Sequence, residues 1–392
     1  MKNIILIAVI ALTLGLCLSF TTCSKAADND EPKDTPELLI EVTENTAITA
    51  DESAADFVAK MTIGWNLGNT MDAHPNGETS WGNPKTTKEM ITALKDAGFN
   101  TIRIPVSWYQ SAPKPNYTIS SSRMNRVKEI VDYAMENNLY VILNTHHDES
   151  IFKFRDNDME ESKKAFQTIW SQIAETFKDY NYNLIFEGLN EPRTKGSANE
   201  WNGGTADERR NLNDMHQLFV DTVRKSGGNN GKRILMISTY AASVESAAVN
   251  GLTLPTDTAE NSGVNKFIVS THSYSPYDFA LNENSPVKTW SKNSASDTAP
   301  ITTWINRVDT AFVKKGYPVI GGEFGALNKN NEDARAEWAE YYVSKAREKG
   351  IKCIWWDDGG NFKLFNRNSK NFYYPKIHAG LMKGAGVATE KM

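Results

Sequence analysis

Apolar residues along this chain gather into eight short runs rich in β-branched and aromatic side chains, at residues 61–69, 100–106, 140–147, 184–191, 233–239, 266–274, 318–325 and 353–358. Within the runs the apolar positions are continuous rather than alternating, which reads as strands covered on both faces, as in a parallel sheet. Between the runs the spacing becomes helical. Met124, Val127, Val131 and Ala134 form one stripe; Leu212, Met215, Phe219 and Val223 form a second; Ala339, Tyr342, Val343 and Ala346 form a third. Gly98 and the Lys349-Gly350 pair stand where helices should end, in positions suited to a left-handed cap. Eight strand–helix units within residues 45–392 predict an α/β chain folded as a single closed (β/α)8 barrel with right-handed crossovers. An open doubly wound sheet would carry a glycine-rich phosphate loop after its first strand, and Gly68-Asn69-Thr70-Met71-Asp72 lacks that spacing. The segment 276–300 reads as one long loop over the rim.

The N-terminal end departs from this pattern. Residues 1–22 have a basic start at Lys2 and an apolar stretch to Phe20, as in a signal peptide. The stretch ends at Thr21-Thr22-Cys23, where Cys23 resembles the lipid-attachment cysteine of bacterial lipoproteins. Residues 23–44 are acidic, polar and proline-containing, the composition of a flexible tether. An exported protein held to a membrane surface through Cys23 is therefore expected. With Cys17 in the leader and Cys23 lipidated, Cys353 stands alone and no disulfide framework is expected. A net charge of −5 with no basic stripe excludes nucleic acid as a natural partner. A monomer is expected.

In a barrel of this kind chemistry belongs to the C-terminal strand ends. Polar residues collect there: Trp65-Asn66-Leu67-Gly68-Asn69 on the first strand, Arg103 on the second, His146-His147-Asp148 on the third and Asn190-Glu191 on the fourth. His272 and Tyr274 end the sixth, Glu323 the seventh, and Trp355-Trp356-Asp357-Asp358 the eighth. A charged residue in a buried strand is costly unless paired, so one polar group from each of many strands is what a site requires. Glu191 and Glu323 come from strands nearly across the barrel. Glycoside hydrolysis needs such a pair, with about 5 Å between them for retention and roughly 6.5 Å or more for inversion. Arg103, His146, His272 and Tyr274 are placed to set their protonation apart. A metal site on His146-His147-Asp148 is the rival reading, but no second histidine pair or cysteine cluster supports it. No metal or cofactor is expected. Trp65, Trp81, Trp108 and Trp201 are candidate platforms for sugar faces, and Asn66, Asn69 and His147 are candidate sugar contacts. Glu187 shares the facing of Glu191 but lies deeper, as a structural carboxylate.

The ordered set Gly64-Trp65-Asn66-Leu67-Gly68-Asn69-Thr70, Trp81-Gly82-Asn83-Pro84, Arg103-Ile104-Pro105-Val106, His146-His147-Asp148, Glu187-Gly188-Leu189-Asn190-Glu191-Pro192, His272-Ser273-Tyr274 and Gly322-Glu323-Phe324-Gly325 resembles glycoside hydrolase family 5. The paired histidines and the Phe-Glu-Gly-Leu-Asn-Glu-Pro-Arg run are similar to its subfamily 4, the bacterial endoglucanases and xyloglucanases. The resemblance implies a retaining β-1,4-glucanase with Glu191 as acid/base and Glu323 as nucleophile. It further implies that Arg103 supports the nucleophile, Asn190 bonds the sugar 2-hydroxyl, and His146 and His272 shape the subsite. Tyr274 would bond Glu323, and Trp356 would lie under the sugar. Of the adjacent pairs, His146 and Trp356 are expected to face the substrate. Cellulose-type glucan, mixed-linkage glucan, xyloglucan and xylan remain open as substrates. So does an inactive glycan-binding lipoprotein, although both glutamates are present.

Overall fold

The computed structural model describes residues 49–75, 77–259 and 263–388. The leader, Cys23 and the tether lie outside the described residues. Eight parallel strands close into one barrel in sequence order: β1 (Ile63–Leu67), β2 (Thr101–Ile104), β3 (Tyr140–Asn144), β4 (Leu184–Glu187), β5 (Leu235–Ser238), β6 (Phe267–His272), β7 (Val319–Phe324) and β8 (Lys352–Asp357). A first helix, α1 (Ala54–Lys60), precedes β1. The crossovers carry α2 (Lys88–Asp96), α3 (Ser121–Glu136), α4 (Met159–Phe177), α5 (Ala206–Lys225), α6 (Ser246–Gly251), α7 (Tyr277–Ala280), α8 (Ala295–Ala311), α9 (Glu332–Arg347) and α10 (Pro375–Ala385). All eight expected strands are present; seven are a little shorter than their apolar runs, and β8 equals its run in length but begins one residue earlier. The three predicted stripes lie on α3, α5 and α9, whose listed positions are buried apart from the half-buried Met124. Gly98 and Gly350 both take positive φ just beyond helix ends, as their placement predicted.

The segment 276–300 is not one loop. It holds the short α7, an irregular stretch, and the first turns of α8, with Pro300 inside that helix. Proline reads as a boundary in sequence, but as the sixth residue of α8 Pro300 removes a single bond, the one its N–H would make to the Ser296 carbonyl, and the helix continues past it.

Strand alternation separates two cores. Outward side chains such as Trp65, Leu143, Phe186, Ile237 and Trp355 pack against the helices. Inward ones, including Ile142, Ile185, Met236, Ile268, Ile320 and Ile354, fill the lower barrel, where Phe57, Val58 and Met61 of the α1 segment join them. The start of the described chain is pinned at this end: the Lys266 ammonium donates to the carbonyls of Ala50 and Glu52, and the Ala54 N–H donates to Asn265 O at 2.8 Å. The barrel is thus plugged below and open above, where the polar strand ends emerge.

The last crossover packs two helices unusually close. A Cβ added at Gly380 would lie 2.6 Å from Ala336 O, and one at Gly384 would lie 2.7 Å from Glu340 O. Both clashes are with the backbone of α9, which cannot rotate aside. Gly380→Ala should therefore push α10 off α9 and cost about 1–3 kcal/mol by overpacking. Urea unfolding checks this, and an unchanged midpoint would show that the seam has slack.

Candidate active site

The upper barrel is organised around Arg103, which is completely buried. Its Nε donates to Glu187 Oε2 at 2.7 Å. One terminal nitrogen donates to Asn66 Oδ1 at 3.0 Å and to Glu323 Oε1 at 2.8 Å, and the other to Asn190 Oδ1 at 2.6 Å. Burial alone would weaken its hold on the proton, but Glu187 and Glu323 outweigh burial and hold the guanidinium above its usual range. Glu187 is completed by Asn144 (3.1 Å) and Ser270 (2.7 Å), which makes it the deep structural carboxylate that its facing predicted.

Glu323 reaches this network through a β-bulge. Thr271 pairs with Gly321 but His272 pairs with Glu323, so Gly322 is the extra residue on β7. The pairing of β7 with β8 skips at the same place. Counting by twos from the inward Ile320 would send Gly322 inward and Glu323 out to the helices; the bulge reverses this. A Cβ at position 322 would meet His272 Nε2 at 3.0 Å and Ser270 Oγ at 3.1 Å. Glu323 then accepts from Arg103 on one oxygen and from the Tyr274 hydroxyl, at 2.9 Å, on the other. Burial, followed by the charge of Glu323, raises the Tyr274 phenol well above its ordinary range, so it stays a donor.

Glu191 stands opposite. Its Oε1 lies 2.9 Å from His272 Nδ1, and its Oε2 lies 3.5 Å from Arg193. Burial acts to raise Glu191, but the His272 contact and the Arg193 charge outweigh it and leave the carboxyl below its usual range. Oxygens of Glu191 and Glu323 and a nitrogen of His272 all lie within 4.8 Å of one another. His146 faces the same space. Burial, then the neighbouring His147 and Arg103, pushes its pKa well down, so it is a neutral ring. It stacks on Trp356 at 5.7 Å with an interplanar angle of 4°.

The paired positions resolve as alternation predicted. Trp355 is buried in the outer core, while Trp356 is half-buried on the inner side. His146 lies beside Glu323, and His147 turns to Glu149 at 3.7 Å. Trp65, expected among the sugar contacts, is not available to a ligand. It is fully buried on the helix side of β1, and its N–H donates to Asp357 at 3.1 Å. Its neighbour Asn66 takes the inward position instead. Asn66 is itself buried and spends its amide on Arg103 and on the carbonyls of Gly322, Ile354 and Trp355, so it braces the barrel rather than meeting a sugar. Trp108 is likewise core. Trp81, 39% exposed, forms a ring cluster with His74 and His147, and Asn69 lies in the turn beneath, bonded through its N–H to Asp72. Trp201, 55% exposed, lies on the other side over Arg193.

Asn144, Ser270, Asp72, Glu149 and Arg193 were not singled out from the sequence. The first two are ordinary strand residues whose inward facing was the only signal, and Arg193 sat in the Asn-Glu-Pro-Arg run. Asp72, His146 and His147 also place three donor atoms within 4.8 Å. Asp72 spends its oxygens on the N–H groups of Asn69 and Thr70, and a guanidinium 2.8 Å from Glu323 repels a cation from the other cluster. Neither cluster is built as a metal centre.

The sequence profile described as cellulase (glycosyl hydrolase family 5) matches residues 66–361. The chain belongs to glycoside hydrolase family 5. Endoglucanase B of Neocallimastix patriciarum is 45% identical over 352 residues, covering 85% of this chain and 72% of that protein. Endoglucanase 1 of Ruminococcus albus is 44% identical, covering 90% and 86%. Among solved structures, a subfamily 4 broad-specificity endoglucanase from Ruminococcus champanellensis with bound cellotriose is 43% identical, with a TM-score of 0.81 and coverage of 85% and 99%. A family 5 lichenase from Caldicellulosiruptor sp. F32 is 42% identical, with a TM-score of 0.81 and coverage of 90% and 99%.

Breaking the central network of this family 5 chain has a definite expected cost. Arg103→Met leaves two buried carboxylates uncompensated and should destabilise the fold by about 3–5 kcal/mol. Arg103→Lys keeps a charge but not the four-way geometry and should fall between. Unfolding in urea ranks the three proteins, and equal stability of Met and wild type would refute the role given to Arg103.

Proposed function

We propose that this protein is a retaining endo-β-1,4-glucanase acting on cellulose-type and mixed-linkage β-glucans. One observation carries the assignment of roles: the two glutamates have unequal partners. Glu323 takes bonds from Arg103 and Tyr274, both donors that hold their protons, so each of its oxygens is tied to a fixed donor. Glu191 leans on His272 at 2.9 Å and stands 3.5 Å from Arg193. Oxygens within 4.8 Å match the spacing of retaining pairs, about 5–5.5 Å, and leave no room for a water between acid and base as inversion requires.

The reaction follows. Glu323 attacks the anomeric carbon of the bound glucosyl unit while Glu191 protonates the departing glycosidic oxygen. The glycosyl–enzyme ester is then cleaved by water, from which Glu191 takes the proton. Asn190 gives its carbonyl oxygen to Arg103 and holds its amide nitrogen 3.4 Å from His146 Nε2, which leaves one amide N–H for the sugar 2-hydroxyl. Neutral His146 and Trp356 supply the adjoining surface, and the Trp81 cluster extends it along the cleft. The relatives carry names of endoglucanase and lichenase activity, which supports glucan over mannan.

Reducing-end release from carboxymethylcellulose, barley β-glucan, xyloglucan, xylan and galactomannan tests this. Wild type should cleave the glucans and Glu323→Ala should not. Glu191→Ala should lose about 10²–10⁴-fold on polymer, and far less on aryl glycosides whose leaving group needs no proton. Full activity of Glu323→Ala would end the proposal. We also propose, from the sequence, that lipidated Cys23 holds the enzyme on a membrane. Cys23→Ser should move it to the soluble fraction, and unchanged membrane partition would exclude the anchor.

A further inference from the structure

Arg193 is a cation at the site that the double-displacement scheme does not use. It is 8% exposed and surrounded by three carboxylates. Its Nε donates to Glu200 at 3.0 Å. One terminal nitrogen donates to the Glu191 carbonyl at 2.9 Å and lies 3.2 Å from the Glu149 carboxylate and 3.5 Å from that of Glu191. The Trp201 ring covers the guanidinium at 4.5 Å and keeps water off it. This cation touches the proposed acid but is bonded more closely to two other carboxylates. Glu149 comes from the β3–α4 connection, where it also pairs with His147, and Glu200 comes from the β4–α5 connection, where it also accepts from the Gly196 N–H.

We infer that Arg193 is a positioning residue whose charge, divided among Glu149, Glu200 and Glu191, sets the pH at which Glu191 gives up its proton. His272 and the shared cation already hold Glu191 below its usual range, and a whole positive charge would hold it lower still and make it a poorer acid for the first step. No positive charge would leave it a buried carboxyl too reluctant to ionise, and so a poor base for the second step. Sharing the cation gives an intermediate setting. Glu149 and Glu200 each draw part of it away, and Trp201 fixes the guanidinium plane in which the division is made. The other groups facing Glu191 are His272 and Tyr274 from β6, Glu323 from β7 and His147 beyond β3. Arg193 differs from these in being permanently charged and outside the bonds to Glu323. Consistent with this division, Glu149 is drawn down to about 2: burial opposes ionisation, and His147 and Arg193 overcome it.

The inference rests on Glu191 being the acid, and it makes a prediction of opposite signs. The alkaline limb of kcat/KM reports loss of the acid's proton in the free enzyme. Arg193→Gln removes a cation next to Glu191 and should move that limb to higher pH by about one unit. Glu200→Gln frees more of the cation for Glu191 and should move it to lower pH, roughly half as far. Arg193→Lys keeps the charge and should leave the limb near the wild-type position, even if stacking on Trp201 is lost. Pure structural damage would lower kcat without opposed shifts. If Arg193→Gln does not fold, Glu200→Gln and Arg193→Lys still carry the test.

Glu191→Ala measured in parallel, on barley β-glucan and on an aryl cellobioside, separates the two layers. A loss confined to β-glucan together with unmoved or same-direction limbs overturns the role of Arg193 and leaves the acid in place. An equal loss on both substrates removes the acid assignment and this inference with it. Opposed limbs with a β-glucan-selective loss are the expected result.

Discussion

Three nitrogens of one buried guanidinium hold side chains from β1, β4 and β7, as well as Asn190 at the end of β4. Glu187 then extends the contacts to Asn144 on β3 and Ser270 on β6. A buried cation is tolerable only when its charge and its hydrogen bonds are both answered. Here that condition makes six of the eight strands share one polar layer, with a mainly apolar layer beneath. Glu323 is thus a structural member of the barrel. Its position cannot drift without breaking a bond that the fold also needs, which is how a site gains rigidity from its scaffold.

The difference between the two glutamates arises from what faces them. Glu323 points into the layer of fixed donors, while Glu191 stands at its edge, where a histidine and a shared arginine meet it. The same residue type thus stands in two electrostatic settings, and the distinction comes from neighbours rather than from distance into the protein. Exposed aromatic surfaces lie nearby, Trp81 among the histidine rings and Trp201 over Arg193, and the two are linked through His147 and Glu149.

Much of this was legible in the sequence because parallel barrel strands are both continuous in hydrophobicity and strict in alternation. Continuity marked all eight, and alternation allowed only one of Trp355 and Trp356 to face inward and set His146 and His147 apart. Alternation misleads where a strand is irregular. On β7 it would place Glu323 outside, and only the Gly321-Gly322 pair hinted at the extra residue that turns it in. Position on a strand end also does not say whether a polar residue meets ligand or protein. Asn66 and Trp65 both lie in the rim motif, yet one is consumed by bracing and the other by packing. The charges around Arg193 come from separate connections, and their meeting depends on loop paths that no periodicity encodes.

The α1 plug has a consequence for how the enzyme meets a solid or very long polymer. Because Lys266 and Asn265 fasten residues 50–54 at the closed end of the barrel, that end is filled by the protein's own chain. The polar strand ends open on the opposite face, so a glucan strand approaches the site from that side and can lie across it.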